Sequence, residues 1–242
     1  MNDLDKKYSD FISTLSHELR TPLTSIRGFA QTLLMSRDKL SEEQKEKFLA
    51  IIKEQSDRLI KMIENLLALS KLDNENALLV SKQTDVAALA EQTIQIVKQQ
   101  YTKHTFLLQK DKNTPFIWVD ADKLQQVLVN IIENAAKYSP EGTTVTVKIG
   151  VAGNYLSVKI KDEGIGIAQE DMEKIFQKFS RLDTPLTRKT QGSGIGLYIT
   201  KCLVDKMQGK INVSSSQEGS VFDVQIPLLT HEEQIQKKLK EN

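Results

Sequence analysis

Near the start of the chain apolar residues recur at a spacing that leaves few choices of fold. Ile12, Leu19, Ile26 and Leu33 stand seven residues apart, and Leu15, Pro22 and Phe29 form a second row three residues later. Rows so spaced mark the a and d positions of a heptad, the seam along which one α-helix packs on another. Arg37 to Leu40 interrupts the pattern. Ser41 followed by Glu42, Glu43 and Gln44 has the form of a helix N-cap with acids in the first turn. A second helix then carries Ile52, Leu59 and Leu66 on one row and Met62 and Leu69 on another, with Phe48, Ile63 and Leu67 widening the stripe. Two striped helices with a short connection predict an antiparallel hairpin over residues 1–75. Two helices cannot bury stripes this wide between them. A homodimer, completing a four-helix bundle, is therefore expected.

The polar run Asp73–Ala77 reads as a domain junction. Beyond it the texture changes. A helix is expected over 85–101, and short strands at Phe106–Leu108 and Phe116–Val119. Asp120 caps a helix running through Leu124, Val127, Leu128, Ile131 and Ile132 to Tyr138. Thr143–Ile149 and Tyr155–Ile160 alternate in polarity and read as a hairpin. A short helix is expected over Gln169–Phe176, a loop over 180–193, a helix over Ile195–Met207, and strands near Lys210–Ser214 and Ser220–Ile226. Helices mixed with mainly antiparallel strands predict an α+β sandwich over residues 76–230, with 231–242 a charged C-terminal tail.

Charge and cysteine content narrow the setting. Lys+Arg is 33 and Asp+Glu is 32, a net charge of +1. That near-neutrality argues against broad electrostatic binding to nucleic acid or anionic lipid. Cys202 has no second cysteine to pair with and sits in an apolar helical pattern, so it reads as a small buried filler in a reducing compartment. No apolar run approaches the ~18–20 residues that span a bilayer, and no signal peptide precedes Met1. A soluble cytoplasmic chain is expected, and the same composition fits the excised inner part of a longer membrane protein.

On the heptad frame His17 takes an f position, facing away from the seam. Glu18 is its neighbour, and Thr21 lies one turn on along the outer face. A neutral imidazole on a helix surface is a competent nucleophile, and an adjacent carboxylate can take its proton or hold its tautomer. A Ser-His-Glu tripeptide alone is better explained as an idle surface histidine. Pro22 shifts the balance, because a proline inside a helix removes a hydrogen bond and costs ~3 kcal/mol.

Four further motifs lie downstream. Asn130 and Asn134 stand four apart on one helix face, opposite the apolar stripe, and their carboxamide oxygens can ligate Mg²⁺. Lys137, one turn beyond Glu133, can reach a phosphate. Asp162-Glu-Gly164-Ile-Gly166-Ile167 follows a strand, and its glycines allow a ligand close to the backbone. An aspartate at that strand end can accept from an exocyclic amine. Phe176 and Phe179 flank the long loop, and Arg181 follows, either a phosphate ligand or a solvated charge. Gly192-Ser193-Gly194-Ile195-Gly196-Leu197 opens a helix, where backbone amides make an anion site. It has no GK[ST] of a Walker loop and no βαβ unit of a Rossmann fingerprint around it. A loop running into such a site reads as a lid over nucleotide.

The segment SHELRTPLTSIRGF resembles the H-box of bacterial two-component sensor histidine kinases. The four downstream motifs are similar to the N, G1, F and G2 boxes of the same family, in the same order. The resemblance covers about residues 8 to 228. It implies a dimerisation and histidine-phosphotransfer domain followed by a Bergerat-type ATP-binding domain. It implies His17 as phospho-acceptor, Glu18 as base, and Thr21 as the residue that positions water for dephosphorylating the partner. It further implies Asp162 on the adenine amino group, Asn130 and Asn134 serving Mg²⁺, Lys137 and Tyr138 lining the nucleotide, and Gly192–Leu197 on the phosphates. The expected partners are a second copy of the chain and the receiver domain of a response regulator. Gln191 and Ser193 depart from the glycine and threonine common in the family.

Two other readings compete. Conformational ATPases of the same nucleotide fold carry a water-activating glutamate at the first position of the N-box motif; this chain has Asn130 there. A non-catalytic dimeric scaffold that only docks a regulator would show degraded boxes, and these are intact.

Overall fold

The computed structural model describes residues 3–36, 39–72, 79–178, 180 and 194–228, with side chains described from residue 13 onward except at 14, 17 and 69–72. The chain divides into two units, residues 1–73 and 74–242.

In the first unit, α1 (Asp3–Met35) and α2 (Glu42–Leu72) pack on each other. The start of α2 is a reciprocal capping box: Ser41 Oγ accepts from Gln44 N at 3.2 Å, and Ser41 N donates to Gln44 Oε1 at 3.0 Å. The Phe29 and Phe48 rings meet across the hairpin with centroids 5.1 Å apart. Pro22 is buried inside α1, which continues as helix on both sides of it. Met62 is buried at 6% exposure, but two of the three residues that widen the stripe are not covered within one chain: Ile63 is 50% exposed and Leu67 56%. Leu23, Leu49 and Ile60 are likewise more than half exposed. Ile12 and Leu69 lie outside the described side chains.

The second unit is a five-stranded sheet with one helical layer. In chain order come β1 (Lys82–Thr84), α3 (Val86–Gln100), β2 (Thr105–Lys110), β3 (Ile117–Val119), α4 (Ala121–Lys137), β4 (Thr144–Ala152), β5 (Tyr155–Lys161), α5 (Gly196–Lys206), β6 (Lys210–Ser216) and β7 (Gly219–Pro227). The sheet order is β2-β4-β5-β7-β6, with β2 and β4 parallel and the other neighbours antiparallel. One face is apolar by strict alternation: Val145, Val147 and Ile149 on β4, Leu156, Val158 and Ile160 on β5, Phe222, Val224 and Ile226 on β7. Against it lies α4, between α3 and α5. Leu124, Val127, Leu128, Ile131 and Ile132 of α4 are fully buried, which leaves Asn130 and Asn134 on its flank. Asp85 and Asp120 cap α3 and α4 through their carboxylates. The β4–β5 hairpin turns on Gly153 at φ +60°, the sign that a two-residue turn needs at its first position.

Two local expectations are corrected and one strand is added. Gln169–Phe176 is not one helix but two 3₁₀ turns, Gln169–Asp171 and Lys174–Phe176. Neither has a side-chain cap, and Ile175 is the one buried residue in the two, too little packing to hold a continuous α-helix. Lys82–Thr84 forms a strand against β3, a pairing too short to leave a periodic signal. Cys202 is half-buried rather than buried, and its thiol meets the Tyr198 hydroxyl one helical turn earlier. The expected junction Asp73–Ala77, most of the 180–193 loop and the 231–242 tail lie outside the described residues.

Candidate functional site

In the first unit, α1 carries His17, Glu18 and Thr21. The His17 side chain is outside the described residues. Glu18 turns toward α2, where Arg58 Nη2 donates to its Oε2 at 3.0 Å. Thr21 is exposed on the surface of α1.

In the second unit the candidate residues converge between α4, the segment after β5 and the start of α5. Asp162 directly follows β5 and is 5% exposed. Its Oδ1 accepts from Gly164 N at 2.9 Å and Ser220 N at 3.0 Å, while Oδ2 has no hydrogen-bond partner among the described residues. Burial pushes the Asp162 carboxyl above the usual carboxylate range, and the two backbone N–H bonds only partly offset it. A recessed carboxylate with one oxygen committed and one open is suited to a single hydrogen-bond donor of a ligand.

The glycines next to it are required by contact. A Cβ on Gly164 would stand 2.6 Å from the Tyr138 carbonyl and 2.8 Å from Asp162 Oδ1. Gly166 has φ +70°, and a side chain there would collide with the Ser216 carbonyl. Ile167 N donates to Ser215 Oγ at 2.8 Å, and Ile165 N to the Tyr138 carbonyl at 3.3 Å. Tyr138 is also the C-cap of α4, so one residue ends the helix and anchors the loop. The Lys137 ammonium lies 5.1 Å from the centroid of the Tyr138 ring.

On the flank of α4, Asn130 Nδ2 donates to Thr200 Oγ1 of α5 at 2.8 Å. Thr200 is 1% exposed, so the carboxamide is held with its nitrogen inward. Asn130 Oδ1 presses on Gly196, where a Cβ would collide with it. One turn on, the Asn134 carboxamide has no hydrogen-bond partner among the described residues. Two carboxamide oxygens one turn apart suit a hard cation that is also held by phosphate oxygens. Gly194 has φ +67°, and Ile195, 1% exposed, begins α5 without a side-chain cap. The first N–H groups of that helix are thereby open to an anion. Leu197 is half-buried in the first turn. Phe179, Arg181, Gly192 and Ser193 lie outside the described residues, and nothing here assembles them with the rest.

Several contributors carry no motif. Ser215 and Ser220 hold the Asp162–Ile167 segment from 48 and 58 residues downstream. Only the register of β6 on β7 and β7 on β5 brings them there. Thr200 looks like any helix-interior threonine. Tyr101, with its hydroxyl pushed up to about 12 by burial and then by Glu133 and Tyr138, stands beside the same end of α4.

Two family models match the chain. Residues 7–75 match the His Kinase A (phospho-acceptor) domain. Residues 119–230 match the Histidine kinase-, DNA gyrase B-, and HSP90-like ATPase. The sensor histidine kinase WalK of Bacillus subtilis is 35% identical over 236 residues, 96% of this chain and 38% of that protein. The chain thus spans little more than a third of that relative. Among solved structures, the Acinetobacter baumannii histidine kinase AdeS is 27% identical with a TM-score of 0.67, over 88% of this chain and 98% of that one. ShkA, solved at full length in complex with AMPPNP, is 25% identical with a TM-score of 0.67, over 90% of this chain and 45% of that one. No helix among the described residues is long and apolar enough to cross a membrane.

Proposed function

We propose, for a chain that belongs to the two-component sensor histidine kinases and carries their catalytic core, that it transfers the γ-phosphoryl group of ATP to His17 and passes it on to an aspartate of a response regulator. Residues 1–75 serve as the dimerisation and phosphotransfer domain and 76–230 as the ATP-binding domain. The observation that carries this reading is Asp162. Its recessed Oδ2, beside glycines that admit no side chain, suits the amino group of adenine. Asn130 and Asn134 would hold Mg²⁺, which supplies charge neutralisation on the phosphates when bound. Lys137 and Tyr138 would line the nucleotide, and the Gly192–Leu197 segment would take the phosphates at the open start of α5. A ring nitrogen of His17 attacks the γ-phosphorus as the bond to the ADP oxygen breaks, and Glu18 accepts the ring proton. Thr21 would position water for the reverse duty, hydrolysis of the phosphorylated regulator.

The test is incubation with γ-labelled ATP and Mg²⁺. Acid-labile, alkali-stable label on the wild type, absent from His17→Gln, is the expected result. Steady ATP hydrolysis with no retained label would replace this reading with a conformational ATPase. Neither label nor hydrolysis would leave a docking scaffold.

A further inference from the structure

The loop from Gly164 to Ile167 is held by a hydroxyl that the phosphoryl-transfer chemistry does not use. Ser215 Oγ accepts from Ile167 N at 2.8 Å, and lies 3.0 Å from the Gly219 carbonyl and 3.0 Å from Ser220 Oγ. A serine hydroxyl has one proton and two lone pairs. The Gly219 carbonyl has no proton to give, so the Ser215 O–H points at it. The two lone pairs then take the Ile167 N–H and the Ser220 O–H, and the hydroxyl is fully used. The surrounding backbone fits the same arrangement without slack. Gly166 lies against the Ser216 carbonyl, and Gly219, at φ +125°, against the Asp162 carbonyl. Asp162 N donates to Ser220 O at 2.9 Å while Ser220 N returns a bond to Asp162 Oδ1 at 3.0 Å.

We propose that Ser215 is a positioning residue, which clamps the Gly164–Ile167 loop onto the β6–β7 hairpin and so presets the adenine end of the nucleotide site before nucleotide arrives. The proposal rests on Asp162 as the adenine acceptor. Without the Ser215 hydroxyl the Ile167 N–H has no partner at the strand end, and the loop leaves it for water. Only the fraction of molecules with the loop in place then binds, which weakens apparent affinity without touching the reacting atoms. The effect is the same for ATP and ADP, with or without magnesium.

The experiment uses the whole chain. Ser215→Ala is expected to bind ATP and ADP about tenfold more weakly, the change that one ordinary hydrogen bond produces. KM for ATP rises in proportion, kcat for autophosphorylation at saturating ATP is unchanged, and Ser215→Thr restores affinity. In the nucleotide-free protein the Ile167 amide exchanges slowly in the wild type and in Ser215→Thr, and fast in Ser215→Ala. If Ser215→Ala does not fold, Ser215→Cys, with its weaker donor and acceptor, takes its place. Unchanged affinity, an Ile167 amide that exchanges no faster, or a loss seen only with magnesium would overturn the proposal. Failure of the underlying reading looks different: Asp162→Asn would then bind nucleotide as the wild type does.

Discussion

Arg58 Nη2 on α2 donates to Glu18 Oε2 on α1 at 3.0 Å, across 40 residues of sequence. Both side chains are mostly covered, at 19% and 16% exposure, and Arg58 Nη1 is buried with no hydrogen-bond partner among the described residues. Neighbouring residues on a helix do not share a face, so this pair draws the carboxylate toward α2 rather than along α1. Arg58→Ala should lower the stability of the helical unit by about 1–3 kcal/mol, between exposed and buried pairs. It should also slow autophosphorylation, and Arg58→Lys should keep most of both. Thermal unfolding and labelling by ATP check this; a variant equal to the wild type in both would make the pair incidental.

Asp162 couples affinity to stability. Its carboxyl is held up by burial. An acid raised in the folded state contributes stability below its unfolded-state pKa and loses that contribution as pH rises through the folded-state value. At neutral pH the ionised Asp162 therefore weighs against folding. Asp162→Asn keeps an oxygen for the Gly164 and Ser220 N–H groups and removes the charge. Its thermal midpoint without nucleotide should equal or exceed that of the wild type at pH 7, the gap closing as pH falls toward the ordinary value of 3.8. Adenine nucleotide affinity should drop roughly 10- to 100-fold.

Asn134→Ala should abolish labelling and leave the dimer intact, which sedimentation and labelling read together. Thr200→Val removes the acceptor for Asn130 Nδ2 at little change in volume. It should raise the magnesium concentration for half-maximal labelling about tenfold, as loss of a supporting contact behind a metal ligand does. An unaltered magnesium curve would remove Thr200 from that role.

Thr21→Ala should spare autophosphorylation while weakening dephosphorylation of the regulator. The ratio of the two rates, measured on one preparation, is the readout. Equal change in both would reduce Thr21 to an exposed helix residue.

Ile60, Ile63 and Leu67 are each at least half exposed on α2, more apolar surface than one hairpin covers. Ile63→Asp should turn a dimer into a monomer by sedimentation, with α1 and α2 still helical by circular dichroism.

Much of this was readable in advance because period and chemistry agreed. The heptad rows placed α1 and α2, and Ser41-Glu42-Glu43-Gln44 marked the N-cap of α2, which the structure closes as a capping box. Asp120 capped α4 as its position implied. Local sequence failed where packing decides. Gln169–Phe176 has helix-forming residues but one buried anchor, so it closed as two 3₁₀ turns.

The glycine motifs, the two asparagines and the aspartate were visible in the sequence because each is dictated by its own backbone or by a spacing of one helical turn. The structure contributed what holds them: Thr200 behind Asn130, Ser215 and Ser220 behind the Asp162 loop, and Arg58 against Glu18. These partners stand between 40 and 70 residues from what they support. No local period encodes such a distance. It is set by strand register and helix packing, which exist only once the chain has closed on itself.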